Sequence, residues 1–406
     1  SVPAPVFRTV NASPSAPQVS IADGAAGATV SKWVTRGEKV LVKATPTSGH
    51  VCGWLNLPTG SELDVAHDSV MVAVSAPCTV SPIIANGSVR YWRGTTSTDS
   101  DVASNWLDLN GTEGCPEKGD TIVLDEGSTP LTWTLAGVSP QHWIQSGYSG
   151  KVSFCVGTSR AEGGTPAEDG VNRELKLTGN AVISSGIWAS ASNVSFKKGS
   201  EEVTSDEGRY RLWVTVDGDL SVASDAAIDV KDCGFACTLG SGYHTSGGAH
   251  GGTGASSGYL TFGSLFEPVL VGTGGNNDFA GYGAGAVKLT VGGVLALDGT
   301  INATPSAYKK GTTNLCSHYP APGGSIWLTA KQMTGRGSVL ANSGDATETG
   351  RGGGGGRIAL YLTGEGETFD ELGWTVECFG KASGTVYRET ASDVPHRGEL
   401  IVRALG

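Results

Sequence analysis

Short runs of alternating apolar and polar residues recur along this chain, and they can be laid over one another. Leu212-Trp213-Val214-Thr215-Val216 aligns with Val287-Lys288-Leu289-Thr290-Val291 and with Ile326-Trp327-Leu328-Thr329-Ala330. Each run leads into a second one: Ala227-Ile228-Asp229-Val230, Thr300-Ile301-Asn302-Ala303, and Gly337-Ser338-Val339-Leu340-Ala341-Asn342. Weaker copies begin at Glu174 and Arg357. A period of two predicts strands, and the Gly, Asn and Asp residues at their ends predict turns. One such unit has an apolar face it cannot bury alone, so neighbouring units must stack. The expected fold is therefore all-β, with a right-handed parallel β-helix over most of the chain.

Composition agrees. The chain has 406 residues, of which 62 are Gly, and its formal net charge is −11 from 39 acidic and 28 basic residues. Long helical bundles need more Ala, Glu, Lys and Leu than this, and collagen needs glycine at every third position. Ten Trp and adequate apolar content argue against wholesale disorder. The acidic balance and the lack of a Lys/Arg stripe argue against a nucleic-acid partner. No apolar stretch is long enough for a membrane helix, so no membrane insertion is expected.

Three regions are expected. Residues 1–27, rich in Pro, Ser and Ala, form an extended segment or linker, with Val6–Val10 as an alternative edge strand. Residues 28–88 form a small β module. Residues 89–406 form the β-helix.

In the small module, Gly37, Val40, Val42, Ala44, Pro46, Gly49, Gly53 and Trp54 fall in a pattern that resembles the divergent internalin-type B-repeat of bacterial surface proteins. The resemblance implies a β-grasp-like spacer or adhesive unit. Cys52 stands where that family usually has an apolar residue, and a Cys52–Cys78 staple between strands is expected. From residue 90 onward, Trp92, Asn105-Trp106 and Gly119-Asp120 are similar to the opening segment of bacterial extracellular β-helix proteins. Asn105 and Asp120 are expected to fix turns, and Trp92 and Trp106 to cap the apolar column. The glycine clusters, with Gly384-Thr385-Val386-Tyr387 and Leu400-Ile401-Val402 as a closing rung, resemble a Gly-rich β-helix family of large secreted bacterial proteins. That resemblance implies a cell-surface stalk, adhesin shaft or fibre subunit. Assembly with other copies through residues 1–17, or contact with surface glycans, is then expected.

Eight cysteines (Cys52, Cys78, Cys115, Cys155, Cys233, Cys237, Cys316 and Cys378), with no CxxC pair, fit disulfides in an oxidising compartment.

Three constellations carry chemistry. Cys233, Cys237, His244 and His250 have the residue types of a tetrahedral metal site, set against disulfides and surface histidines. Asp217, Asp219, Asp225, Asp229 and Asp232 form an acidic run. Asp217 and Asp219, on one face of one strand, would stand about 7 Å apart, a spacing suited to a polysaccharide-cleaving acid pair with Asp229 as third member. Asp-Gly steps are also ordinary turn formers, and that reading leaves no catalytic residue. Trp188 and Trp213 are the candidates for stacking on sugars. No motif for a nucleotide, a zinc protease or a serine hydrolase occurs, so no cofactor is expected.

Overall fold

The computed structural model describes residues 6–10 (backbone only), 18–22, 24–58, 60–63, 68–135, 137–155, 174–193, 210–235, 248–254, 261–275, 282–306, 321–344 and 352–402. Among these the protein is all-β, with one 3-10 turn at Ala103–Asn105 as its only helical element.

The N-terminal region builds its own small core. Gln18–Ile21, Lys39–Thr45, Ser69–Ala73 and Glu62–Leu63 form a four-stranded antiparallel sheet in that order. Alternation along Lys39–Thr45 turns Val40, Val42 and Ala44 inward, against Val19, Ile21, Val70, Val72 and Trp54. His50–Leu55 pairs with Ser81–Ala85. At Gly49 φ is +74°, and a Cβ there would lie 2.2 Å from the Ala85 carbonyl oxygen, so the turn requires glycine.

Residues 1–27 are not simply a linker. Val6–Val10 pairs with Thr29–Trp33 on one side and Cys78–Thr79 on the other, and Gln18–Ile21 pairs with Lys39–Thr45. The alternation of Val6-Phe7-Arg8-Thr9-Val10 prevails over the prolines around it.

From Val89 onward the chain alternates between two sheets. One has thirteen strands and the other seven. Thr121–Leu124, His142–Gln145 and Ala181–Ile183 are consecutive parallel neighbours in the first sheet. Leu131–Trp133, Lys151–Phe154 and Gly186–Ser190 are consecutive parallel neighbours in the second. The pattern continues through Ala286–Leu297, Ser325–Thr334 and Arg357–Leu362 in the first sheet. Ala226–Asp229, Thr300–Asn302, Ser338–Leu340 and Thr375–Glu377 continue the second. Each return to a sheet adds one strand beside the last. The two short strands Leu212–Val216 and Leu220–Val222 both pair with the long strand Ala286–Leu297, which bulges between Val291 and Val294.

Between the sheets lies one continuous apolar core, from Trp92 to Val386. Its first part is aromatic: ring centroids of Trp92 and Trp106 are 4.8 Å apart, Trp106 and Trp133 6.2 Å, Trp133 and Trp143 5.2 Å, and Trp143 and Trp188 5.6 Å. The later part is aliphatic, as in the ladder Leu212, Val287, Ile326, Ile358 and Val386. At the Trp-rich end, Asn105 accepts from the Thr96 N–H at 2.9 Å and Asp120 accepts from the Glu117 N–H at 2.9 Å.

The N-terminal unit docks on the outside of the first sheet. Cys52, Leu55, Ile83 and Ala85 pack on Val89, Val123, Ile144 and Val182, which accounts for four buried apolar residues outside the main core. A Cβ on Gly53 would come within 3.1 Å of Ile144. Polar bonds pin the same junction: His142 Nε2 is 3.1 Å from the Ile84 carbonyl, and the Asn86 N–H donates to Gln141 Oε1 at 3.2 Å.

The described glycine clusters stack into a tight edge rather than hang free. The Gly252 N–H donates to the Gly355 carbonyl at 2.9 Å, Gly323 to Gly354 at 3.1 Å, and Gly354 to Gly248 at 3.0 Å. A Cβ on Gly324, Gly354, Gly355 or Gly384 would sit 1.9 Å from a backbone oxygen.

The expected Cys52–Cys78 staple is absent. Cys52 lies in the junction core with its Sγ donating to the Ile83 carbonyl at 3.4 Å, and Cys78 borders the core of the N-terminal unit. Cys52, Cys78, Cys115 and Cys233 are free thiols. Cys237 and Cys316 lie outside the described residues.

Candidate ligand face

The first sheet has an inner face, turned to the core, and an outer one. Period two along Leu212–Val216 sends Leu212, Val214 and Val216 inward and Trp213 and Thr215 outward. The same alternation sends Lys288 outward from Ala286–Leu297 and Trp327 outward from Ser325–Thr334. Register then sets Trp213 opposite Lys288, and Lys288 opposite Trp327.

The three side chains interlock. Lys288 Nζ lies 4.2 Å from the Trp327 ring centroid and 5.2 Å from that of Trp213. The guanidinium of Arg211 covers Trp213 at 4.3 Å. Each is a cation–π contact. The aromatic row continues from Trp327 to Tyr361 at 6.4 Å and from Tyr361 to Tyr387 at 5.9 Å. Among the described residues no carboxylate pairs with Lys288, and the buried indole N–H groups of Trp213 and Trp327 have no acceptor.

Beside this row, residues 248–254 and 261–271 cross the outer face as a strap. Side chains from the sheet hold its carbonyls. Ser325 Oγ donates to Leu270 at 2.7 Å, Arg357 Nε to Phe262 at 2.8 Å, Tyr361 to Phe266 at 2.7 Å, and Arg211 to Val269 at 3.3 Å. His250, in the strap itself, is buried, stacked on Phe262 at 4.8 Å, with Nδ1 2.7 Å from the Gly323 carbonyl. Burial holds its pKa down at about 4, and the Arg357 charge acts in the same direction.

No family model, no curated protein and no solved structure matches this chain. The reading of the site rests on its own geometry.

The acidic residues take up separate, local roles. Asp217 and Asp219 do not share a strand; they flank Gly218 at the corner between Leu212–Val216 and Leu220–Val222. Asp217 pairs with Lys176 at 3.3 Å in a solvated position. Asp219 Oδ1 accepts from the Val294 N–H at 2.8 Å. Asp229 lies in the second sheet and accepts from the Lys231 N–H and from Asn302 Nδ2, each at 2.9 Å. Asp232, at φ +56°, accepts from the Ser306 N–H at 2.7 Å. Asp225 is exposed in a turn. These acids stabilise corners of the coil, as Asp does in turns generally.

Of the four residues of the metal reading, two are described, and they lie apart. Cys233 sits in the main core, where its Sγ donates to the Lys231 carbonyl at 3.3 Å, while His250 is part of the strap on the outer face. Cys237 and His244 lie outside the described residues. Among the described residues no three His, Cys, Asp or Glu side chains gather around a common point.

Trp188 is a core residue. It is 0 % exposed, wedged between Trp143 and Phe154, and its Nε1 donates to Gln145 Oε1 at 3.1 Å. It cannot meet a sugar. Trp213 does stand on the outer face, in one row with Trp327, and Arg211 and Lys288 complete its surroundings, which aromatic residues alone do not reveal. The aligned repeats already placed Trp213, Lys288 and Trp327 at one position; that was the signal. At the far end of the core a cavity of about 130 Å³, lined by Trp374, Val376, Phe379, Val386 and Ile401, is well below the few hundred Å³ of ordinary ligand pockets.

Proposed function

We propose that this chain is a non-catalytic structural shaft, the stalk, adhesin shaft or fibre subunit of a secreted bacterial surface protein. In this reading residues 89–406 form a right-handed parallel β-helix, with a β-grasp-like module at residues 28–88 fixed to its side. The observation that carries it is the pair of in-register parallel sheets enclosing one unbroken core from Trp92 to Val386. Such a body resists bending, because every coil is bonded to the next along both sheets. Right-handedness follows from the strong preference of parallel crossovers for that hand. The extracellular location rests on the family resemblances, since four of the cysteines that suggested an oxidising compartment are free thiols.

The acids support the non-catalytic reading. Asp219, Asp229 and Asp232 each accept backbone N–H groups at corners, and Asp217 pairs with Lys176. Val6–Val10 pairs within its own chain with Thr29–Trp33 along its length and with Cys78–Thr79 at Phe7 and Arg8, so assembly of copies through residues 1–17 would use the remaining edge or displace that short pairing.

Negative-stain imaging tests the proposal. The first sheet stacks strands at about 4.8 Å each, so a rod roughly 50 Å long is expected. A globular particle overturns the shaft reading. A polysaccharide-degradation screen of the intact chain against Asp217→Asn tests the enzymatic alternative, and glycan cleavage abolished by the substitution would establish it.

A further inference from the structure

The outer row of the first sheet places a cation between two indole rings. Trp213 and Trp327 lie on strands separated by the one that carries Lys288. Two strand spacings make their backbones roughly 10 Å apart. The ammonium sits 5.2 Å from one ring and 4.2 Å from the other, so it fills the slot between them. A slot of this width also suits one puckered sugar ring, with van der Waals contacts of about 4 Å on each face.

Two donors in this slot, the indole N–H groups of Trp213 and Trp327, are buried with no acceptor among the described residues. Unmatched buried donors are rare and costly, and each calls for a physical reason. The local charge is unusual too. Arg211 and Lys288 lie together in a chain whose net charge is −11, and no carboxylate of the described residues pairs with Lys288. An acceptor-rich ligand with a flat apolar face and a negative group satisfies all of these features at once.

We propose that Trp213, Lys288 and Trp327, with Arg211 beside them, form a binding site for an acidic carbohydrate. The carboxylate or sulfate of the sugar draws the ammonium outward on its flexible stem. That movement uncovers the two rings, and the sugar ring takes the place between them. Its hydroxyl and ring oxygens then accept from the indole N–H groups. The site adds a recognition function to the shaft and does not depend on the shape of the whole molecule.

An array of carboxylated, sulfated and neutral oligosaccharides, probed with the intact chain, tests this. Carboxylated or sulfated members should be retained and neutral ones should not. Lys288→Gln should weaken retention by about tenfold, as expected for one charge-assisted hydrogen bond. Lys288→Arg should restore most of it. Lys151→Gln, which makes the same charge change on the other sheet, should have no effect. Trp327→Ala should abolish retention; circular dichroism reports whether that variant is folded, and Lys288→Gln keeps the test valid if it is not. Retention of no anionic glycan, equal retention of neutral ones, or equal losses in Lys288→Gln and Lys151→Gln would each overturn the proposal.

Discussion

The Val294 N–H reaches back to Asp219 Oδ1 across 2.8 Å, joining one coil of the chain to the next. The corner Asp217-Gly218-Asp219 in one coil thus lies against the bulge Gly292-Gly293 in the following coil, where a Cβ on Gly293 would sit 2.0 Å from Asp219 Oδ1. Carboxylate and glycine fit each other, and the acid has a structural purpose there.

Replacing Asp219 therefore separates a corner role from a catalytic one. Asp219→Asn keeps an oxygen acceptor for Val294 and should change unfolding free energy by less than about 1 kcal/mol. Asp219→Ala leaves that N–H unmatched and should cost about 1–3 kcal/mol. Chemical denaturation measures both. Equal effects of the two substitutions would contradict this assignment.

The two tryptophans first singled out should behave differently. Trp188→Ala opens a cavity among Trp143, Phe154 and Gln145 and should cost about 3–5 kcal/mol in denaturant unfolding. Trp213→Ala, on the outer face, should cost clearly less. Similar losses for both would mean that Trp213 is as deeply packed as Trp188.

Acid should weaken the junction between the N-terminal unit and the first sheet. His142 accepts from the Asn180 N–H at Nδ1 (2.9 Å), so its own proton lies on Nε2 and is donated to the Ile84 carbonyl. Burial lowers its pKa from 6.5 to about 4. Between those values the unfolded chain binds more protons than the folded one, so the contribution is complete above pH 6.5 and is lost as pH falls toward 4. The full window corresponds to about 3 kcal/mol. Denaturation at pH 7.5 and pH 4, compared between the wild type and His142→Gln, should show a shallower pH dependence in the variant by about that amount.

The thiol at the same junction should be inert. Burial pushes the pKa of Cys52 up to about 12, and that of Cys78 to about 11. Iodoacetamide at pH 8 should leave Cys52 unmodified in the folded protein and label it after unfolding. Peptide mapping without reductant should recover Cys52 and Cys78 as separate thiols. A cross-linked peptide containing both would reinstate the staple.

Much of the long sheet could be read from the chain, because alternation and register are properties of sequence. The alignment of Leu212 with Val287 and Ile326, and of Ala227 with Thr300, is the strand register observed. What could not be read was anything that depends on which coil lies against which surface. Val123, Ile144 and Val182 look like ordinary outward strand residues until the N-terminal unit covers them. Asp217 and Asp219 look like one strand face until the chain turns at Gly218. Trp188 and Trp213 occupy similar apolar strands, and only the parity of each position decides between core and surface. The candidate ligand face is half legible in the sequence: the ring of Trp213 marks it, whereas a lysine on an outward strand position, such as Lys288, is ordinarily just solvated.

The stacked glycine edge restricts how such a chain can vary. Along Gly323-Gly324, Gly354-Gly355-Gly356 and Gly384 there is no room for even a methyl group, so that border tolerates neither decoration nor drift. Novelty must enter elsewhere: through loops that leave the coil and return to it, or through side chains on the open outer rows. Diversification in a molecule built this way is confined to its faces and detours, while its seam stays the same.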